Sequence, residues 1–173
     1  MKAAPGKRFH YNNAGFILLG LIVEQLSGQR FTDYVQAHIF DRCGMESSGY
    51  FSMDRLPANT ALGYIDEQDG SWKTNVYSLP IIGGADGGAF VTAQDMLKLW
   101  NALQQEQLLS KELCNKLLSP HVFTGNENEY YGYGVWITKK GRRHFQMPRH
   151  GLRSGSVFPF RRLPRNWPSS SDS

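Results

Sequence analysis

The segment NAGFILLGLIVEQLS, residues 13–27, constrains the fold more than any other part of the chain. Apolar side chains stand at 14, 16–19, 21–23 and 26, so a helix over this segment has almost no polar face. Such a helix is expected at the centre of a domain, buried on several sides. It is too short to cross a membrane: the run from Phe16 to Val23 ends at Glu24, far below the ~20 residues that span a bilayer. Ser27-Gly28 marks its end, because glycine suits the left-handed position after a helix. Against this wall of aliphatic residues stand Tyr11, Asn12 and Asn13. The bland role for them is to start the helix, with Asn13 as N-cap and Tyr11 as a hydrophobic staple.

Downstream, Phe31, Tyr34, Val35, His38 and Ile39 recur at helical spacing and predict a second, half-buried helix with His38 as a structural histidine. Residues 41–91 are rich in turn formers, so strands there should be short, as at ALGYI (61–65). The cluster GGADGG (83–88) lacks the Lys-Ser/Thr of a phosphate loop and reads as turn geometry. Thr92 caps a further helix, with Asp95 completing a capping box and Met96, Leu99, Trp100 and Leu103 forming its core stripe. Ser110 starts a shorter one bearing Leu113, Leu117 and Leu118, stopped by Pro120. YYGYGVWIT (130–138) reads as one strand, its partner lying in RRHFQMPRH after a turn at Lys140-Gly141. Helices followed by antiparallel strands make this an α+β chain.

With 173 residues the chain is of single-domain length. Its net charge of +4 hides a split: residues 139–173 carry nine Lys and Arg against Asp172 alone, which leaves the remainder at −4. A basic arm of this kind can serve nucleic acid or anionic lipid, and Phe158, Phe160 and Trp167 interleave with its arginines. That reading is set aside in favour of one without a nucleic-acid partner, given below. Cys43 and Cys114 are far apart, outside any CxxC pattern, and are expected as buried thiols. His10, His121 and His144 have no metal-like spacing, so neither a metal nor a cofactor is expected. The start, MKAAPGKRF, shows no signal-peptide apolar region.

Four blocks in order carry a resemblance: PGKRFHYNNAGFILLGLIVEQLSG, GGADGGAFVTAQDML, YGYGVWI and RHG. Together, over roughly residues 5 to 152, they resemble the serine β-lactamase-like proteins: class C β-lactamases, penicillin-binding proteins, D-aminopeptidases and esterases. Tyr11, Asn12 and Asn13 occupy that family's YxN motif. The segment DRCGM departs from it, standing where the family has Pro-Leu before Gly-Met. The resemblance implies a partial β-lactamase/transpeptidase-like fold and acyl transfer to or from an amide or ester, on a small-molecule or peptide substrate. Tyr11 would act as general base, which requires nearby positive charge because a phenol's ordinary pKa is near ~10; the N-terminus of the adjoining helix helps in that direction. Asn13 would clamp the substrate carbonyl. His150 and Gly151 would lie on the strand flanking the cleft, which supplies an oxyanion N–H.

The family's nucleophile sits in an Ser-x-x-Lys motif upstream of YxN, and this sequence holds neither that nor Gly-x-Ser-x-Gly. The expectation is therefore a C-terminal part of a larger hydrolase, residues 1–152, inactive alone because nucleophile and base act as a unit. The alternative is a noncatalytic module whose cleft binds cell-wall peptide or a protein partner. Loss of central elements would also expose apolar surface and promote association. Residues 153–173 break the family pattern with three prolines and four arginines. Codon degeneracy lets LRSGSVF be read one nucleotide on as Ser-Asp-Pro-Gly-Val-Ser-Phe, so the expectation for the basic tail is the product of a shifted reading frame or, alternatively, a disordered segment.

Overall fold

The computed structural model describes residues 4 and 6–139, together with the backbone of Lys140 and of Arg143–Met147. The described residues up to Thr60 and those from Leu79 onward form one compact unit, while Ala61–Ser78 belong to another. The elements are α1 (Asn13–Ser27), α2 (Phe31–Val35), β1 (Tyr64–Asp66), β2 (Trp72–Thr74), α3 (Ala93–Gln104), α4 (Lys111–Leu117), β3 (Val122–Phe123), β4 (Glu129–Tyr131), β5 (Trp136–Lys140) and β6 (Arg143–Met147). Strands β3-β4-β5-β6 form an antiparallel sheet in that order, with Tyr130 opposite Ile137 and Ile137 opposite Gln146. The smaller unit is the β1–β2 hairpin, in which the rings of Tyr64 and Trp72 meet edge to face at 4.7 Å.

Helix α1 has the bounds its apolar pattern predicts, and Gly28 closes it at φ 67° with its N–H on the Glu24 carbonyl. Two expectations fail. The N-cap is Asn12, not Asn13: the Asn12 Oδ1 accepts from the Ala14 N–H at 2.9 Å. Nor is α1 buried on several sides, for Ile17, Leu18, Leu19, Leu21, Ile22 and Leu26 are 46–83% exposed and Gly20 alone is buried. It touches the rest of the unit along one stripe, where Gly20 lets the 83–88 turn come close; a Cβ there would stand 2.4 Å from that of Ala85.

The chain after α2 continues in one wider helical turn through Phe40. This shift of register brings Phe40 inward and leaves His38 exposed, its ring 4.3 Å from that of Tyr34, so His38 is not on the buried face. Val35, Phe40 and Met45 form the core, with Phe31, Ile39, Tyr50 and Leu99 packed on it. In α3 the Thr92 hydroxyl accepts from the Asp95 N–H, as a cap should. The Asp95 side chain does not close a capping box. Its carboxylate is buried, accepting from the Ser47 N–H at 2.9 Å and the Ser48 hydroxyl at 2.8 Å and pairing with Lys98 at 2.9 Å. Met96, Leu99, Trp100 and Leu103 are half-buried, and Ala102 is the apolar residue of α3 that is fully buried.

Ser110 caps α4, whose inward residue is Cys114 and not the exposed Leu113. Cys43 is only half-buried, and burial raises its thiol pKa despite Arg42. The stretch 130–138 is not one strand: Gly132 and Gly134 make a turn between β4 and β5, Gly134 at φ 83° and the Gly132 N–H on the Val135 carbonyl. β6 pairs with β5 as the hairpin pattern predicts. His150, Gly151 and the tail at 153–173 lie outside the described residues.

Candidate active site

Tyr11 stands where the chain enters α1, and its position is set by other aromatic rings. It stacks on Trp136 at 6.1 Å, meets Tyr131 edge to face at 6.2 Å, and contacts Phe16 at 5.6 Å. Phe9 packs against the same two residues, at 5.3 Å from Tyr131 and 5.7 Å from Trp136. Tyr131 and Trp136 are cross-strand partners on β4 and β5, 4.9 Å apart. The glycine turn between these strands thus delivers two rings to one place, and those rings hold the residue before α1 against the sheet. Each such pair contributes about 0.5–1.5 kcal/mol beyond burial, enough together to fix the orientation of a half-buried side chain.

The Tyr11–Phe16 contact has the spacing of a hydrophobic staple around the Asn12 cap. The bland role of Tyr11 is therefore present, and it coexists with any chemical one. Tyr131 is the other phenol. Burial, and then the charge Tyr11 carries when ionised, push its pKa up to about 12. Tyr131 is consequently neutral at physiological pH and serves as a packing partner.

The two asparagines divide their work. Asn12 spends its side-chain oxygen on the helix cap. Asn13, in the first turn, is exposed and makes no side-chain hydrogen bond with the described residues, so its carboxamide is available to a ligand. Tyr11 and Asn13 are thus together at one helix end. Whether His150 and Gly151 join them falls outside the described residues. The sequence did not disclose Phe9, Tyr131 and Trp136 as neighbours of Tyr11; the aromatic density of YYGYGVW was the available signal, but its fold into a hairpin decided the contact.

Two clefts open elsewhere on the same unit. One, of about 360 Å³, lies between α1 and the 83–86 turn and is lined by Ile17, Gly20, Leu21, Ile82 and Ala85 among others. The second, of about 410 Å³, includes Arg30, Tyr50, Phe51 and Arg55. Neither is lined by Tyr11 or Asn13. Among the described residues no group of three or more His, Cys, Asp or Glu is placed to hold a metal, and no helix is long and apolar enough to cross a membrane.

An apolar helix opening on Tyr-x-Asn, with Phe9 and Tyr11 ahead of it packed on the rings of an antiparallel sheet, defines an α+β chain with part of a β-lactamase/transpeptidase-like fold. It superposes on a penicillin-binding protein from Bacillus halodurans with a TM-score of 0.76 and 63% identity, over 82% of this chain and 44% of that one. The beta-lactamase family model matches residues 1–158, and the chain belongs to that family. Among characterised relatives, penicillin-binding protein 4* of Bacillus subtilis (strain 168) is 29% identical over 154 residues, covering 80% of this chain and 34% of its own length. D-aminopeptidase of Gluconobacter oxydans (strain 621H) is 25% identical over 149 residues, 86% of this chain and 28% of its own. The chain spans about a third of the length of these curated relatives.

Proposed function

We propose that this chain is the YxN-bearing part of a serine acyl-transfer hydrolase acting on amide or ester bonds, and that by itself it binds acyl substrate without turning it over. The observation that carries the reading is the division of labour at the start of α1. Asn12 takes the capping role, which leaves Asn13 free to receive a substrate carbonyl, while Tyr11 is held in place by the rings of Trp136 and Tyr131. The relatives' names, penicillin-binding protein and D-aminopeptidase, support small acyl compounds or peptides with a D-residue as substrates.

In the reaction so read, the Tyr11 phenolate takes the proton of a serine hydroxyl supplied by polypeptide outside this sequence as the serine oxygen bonds the acyl carbon. Tyr11 passes that proton to the departing amine or alcohol, and water then cleaves the acyl-serine ester and restores the serine hydroxyl. Tyr11 and Asn13 belong to this chain; the roles of His150 and Gly151, which lie outside the described residues, rest on the family resemblance alone.

The test is labelling with a fluorescent penicillin. The chain alone should show no covalent label, yet bind an acyl-D-alanyl ligand reversibly, weakened at least about tenfold in Asn13→Ala, the loss of one good hydrogen bond. Covalent labelling of the chain would sink the claim that its nucleophile lies elsewhere. Binding unchanged by Asn13→Ala would instead favour a noncatalytic module whose cleft lies away from α1.

A further inference from the structure

The second cleft, between α2 and the 50–55 segment, carries hydrogen-bonding capacity that the fold leaves open. Its polar side chains divide into two sets. Those of the first are engaged: the Thr32 hydroxyl donates to Asp33 at 3.4 Å, the Gln36 carboxamide to Asp41 at 2.7 Å, and the Ser52 hydroxyl to Asp54. Those of the second are donors without an acceptor. The Arg30 guanidinium makes neither a hydrogen bond nor an ion pair with the described residues. Arg55 has Asp54 at 4.0 Å, a pair in open water that contributes little. The Tyr50 ring packs on Phe31 and Phe40 at 6.2 Å from each, while its hydroxyl makes no hydrogen bond with the described residues. Burial, and then the charge of Asp86, raise the Tyr50 pKa, so the phenol keeps its proton at physiological pH and remains a donor.

What the cleft lacks is therefore an acceptor. Two guanidiniums against one lining carboxylate, Asp33, leave it a net charge of +1. With Asp54 and Asp86 close by, a singly charged anion suits it better than a dianion, which the carboxylates repel. A guanidinium offers its N–H groups as a planar fork that matches the two oxygens of a carboxylate. Phe51 and Ile82 add an apolar wall, and the volume of about 410 Å³ lies in the range that holds small organic molecules, roughly 300–1,000 Å³. This is not the site of Tyr11 and Asn13. Tyr11 precedes α1 and Arg30 follows it, and the 15 residues of the helix put about 22 Å between its ends.

We propose that this cleft is a second ligand site, which binds the carboxylate of a small organic acid on the guanidiniums of Arg30 and Arg55, with the Tyr50 hydroxyl as a further donor and the apolar body of the acid against Phe51 and Ile82. The site is independent of acyl transfer at Tyr11 and stands if that reading falls.

The test is a chemical-shift titration of the full, isotopically labelled chain with benzoate, phenyl phosphate and benzamide, which share a ring and differ in the head group. Benzoate should saturate with a Kd of about 1–10 mM, the range open to so small a ligand, and shift the amides of residues 30–36 and 50–55. Benzamide, which has no charge, should bind at least about tenfold more weakly. Arg30→Gln and Arg55→Gln, at exposed positions, should each weaken benzoate about five- to tenfold, and Tyr50→Phe about two- to threefold. Arg42→Gln, at an exposed arginine outside the cleft, and Asn13→Ala should leave it unchanged. Absence of saturation, equal binding of benzamide, or binding indifferent to both cleft arginines overturns the site. Tighter binding of phenyl phosphate than of benzoate overturns its assignment to a carboxylate. Loss of benzoate in Asn13→Ala, with shifts at the start of α1, moves the acid to Tyr11 and Asn13 and overturns the proposal as well.

Discussion

Helices α1 and α3 belong to the same unit and contradict the rule that the greasier helix is the more buried. α1 is apolar around most of its circumference and buries only Gly20; α3 alternates polar and apolar residues and buries Ala102 and a carboxylate, Asp95. What separates them is the presence of a partner. The 45–49 segment lies against α3 and offers an N–H and a hydroxyl to Asp95, and Lys98 bridges from Asp95 to the Gly44 carbonyl. α1 meets its unit along a single stripe. Burial is a property of a pair of surfaces, and an apolar sequence states only one of them.

The comparison breaks first at Asp95. Asp95→Ala leaves the Ser48 hydroxyl and the Ser47 N–H without their acceptor and should cost about 3 kcal/mol, measured by urea unfolding. The same carboxylate should set the acid limit of stability. Burial raises its pKa, but hydrogen bonds from Lys98, Ser48 and Ser47 outweigh burial and hold it below the ordinary value. A depressed folded pKa stabilises above the unfolded value and loses that contribution as pH falls through the folded one. Asp95→Asn should flatten the acid limb of the pH–stability curve. At the alkaline end the sign reverses: with Tyr131 raised to about 12, its contribution is complete below pH 10 and disappears as pH climbs through 12, a loss that Tyr131→Phe should remove.

On α1 the effects should be smaller and confined to the stripe. Gly20→Ala forces a methyl against Ala85 and should cost about 1–2 kcal/mol, despite alanine's better helix propensity. Asn12→Ala should cost about 1 kcal/mol through the lost cap, and Asn13→Ala much less, because it caps nothing. Leu19→Asp, 58% exposed in a helix of almost pure hydrocarbon, should change stability by no more than about 0.5 kcal/mol. A loss of several kcal/mol at Leu19 would show that α1 is covered in solution and would erase the contrast with α3.

Much of this was legible in the chain itself because it depends on neighbours in sequence. The bounds of α1, the Gly28 end, the Thr92 and Ser110 caps and the β5–β6 pairing follow from backbone hydrogen bonds and local periodicity. The misreadings came from distant surfaces in some places and from local turns in others. Asp95 looked like a capping-box partner until a loop about 48 residues away claimed its carboxylate. His38 looked inward until one wide turn rotated the register, and YYGYGVWIT looked continuous until its glycines folded it back. At the candidate site, Tyr11 and Asn13 could be picked out from the family pattern, whereas the choice of Asn12 as cap turned on which backbone N–H lay within its reach.

From sequence alone came the helices, their stops, the α+β class and the pair of residues at the mouth of α1, because short-range sterics and periodicity are written in adjacent side chains. The tertiary structure decided which apolar faces are satisfied, which acid is buried, and that Trp136 and Tyr131 hold Tyr11 in position. Those outcomes depend on surfaces brought together across the chain, and a residue cannot encode by its identity which distant surface will arrive to meet it.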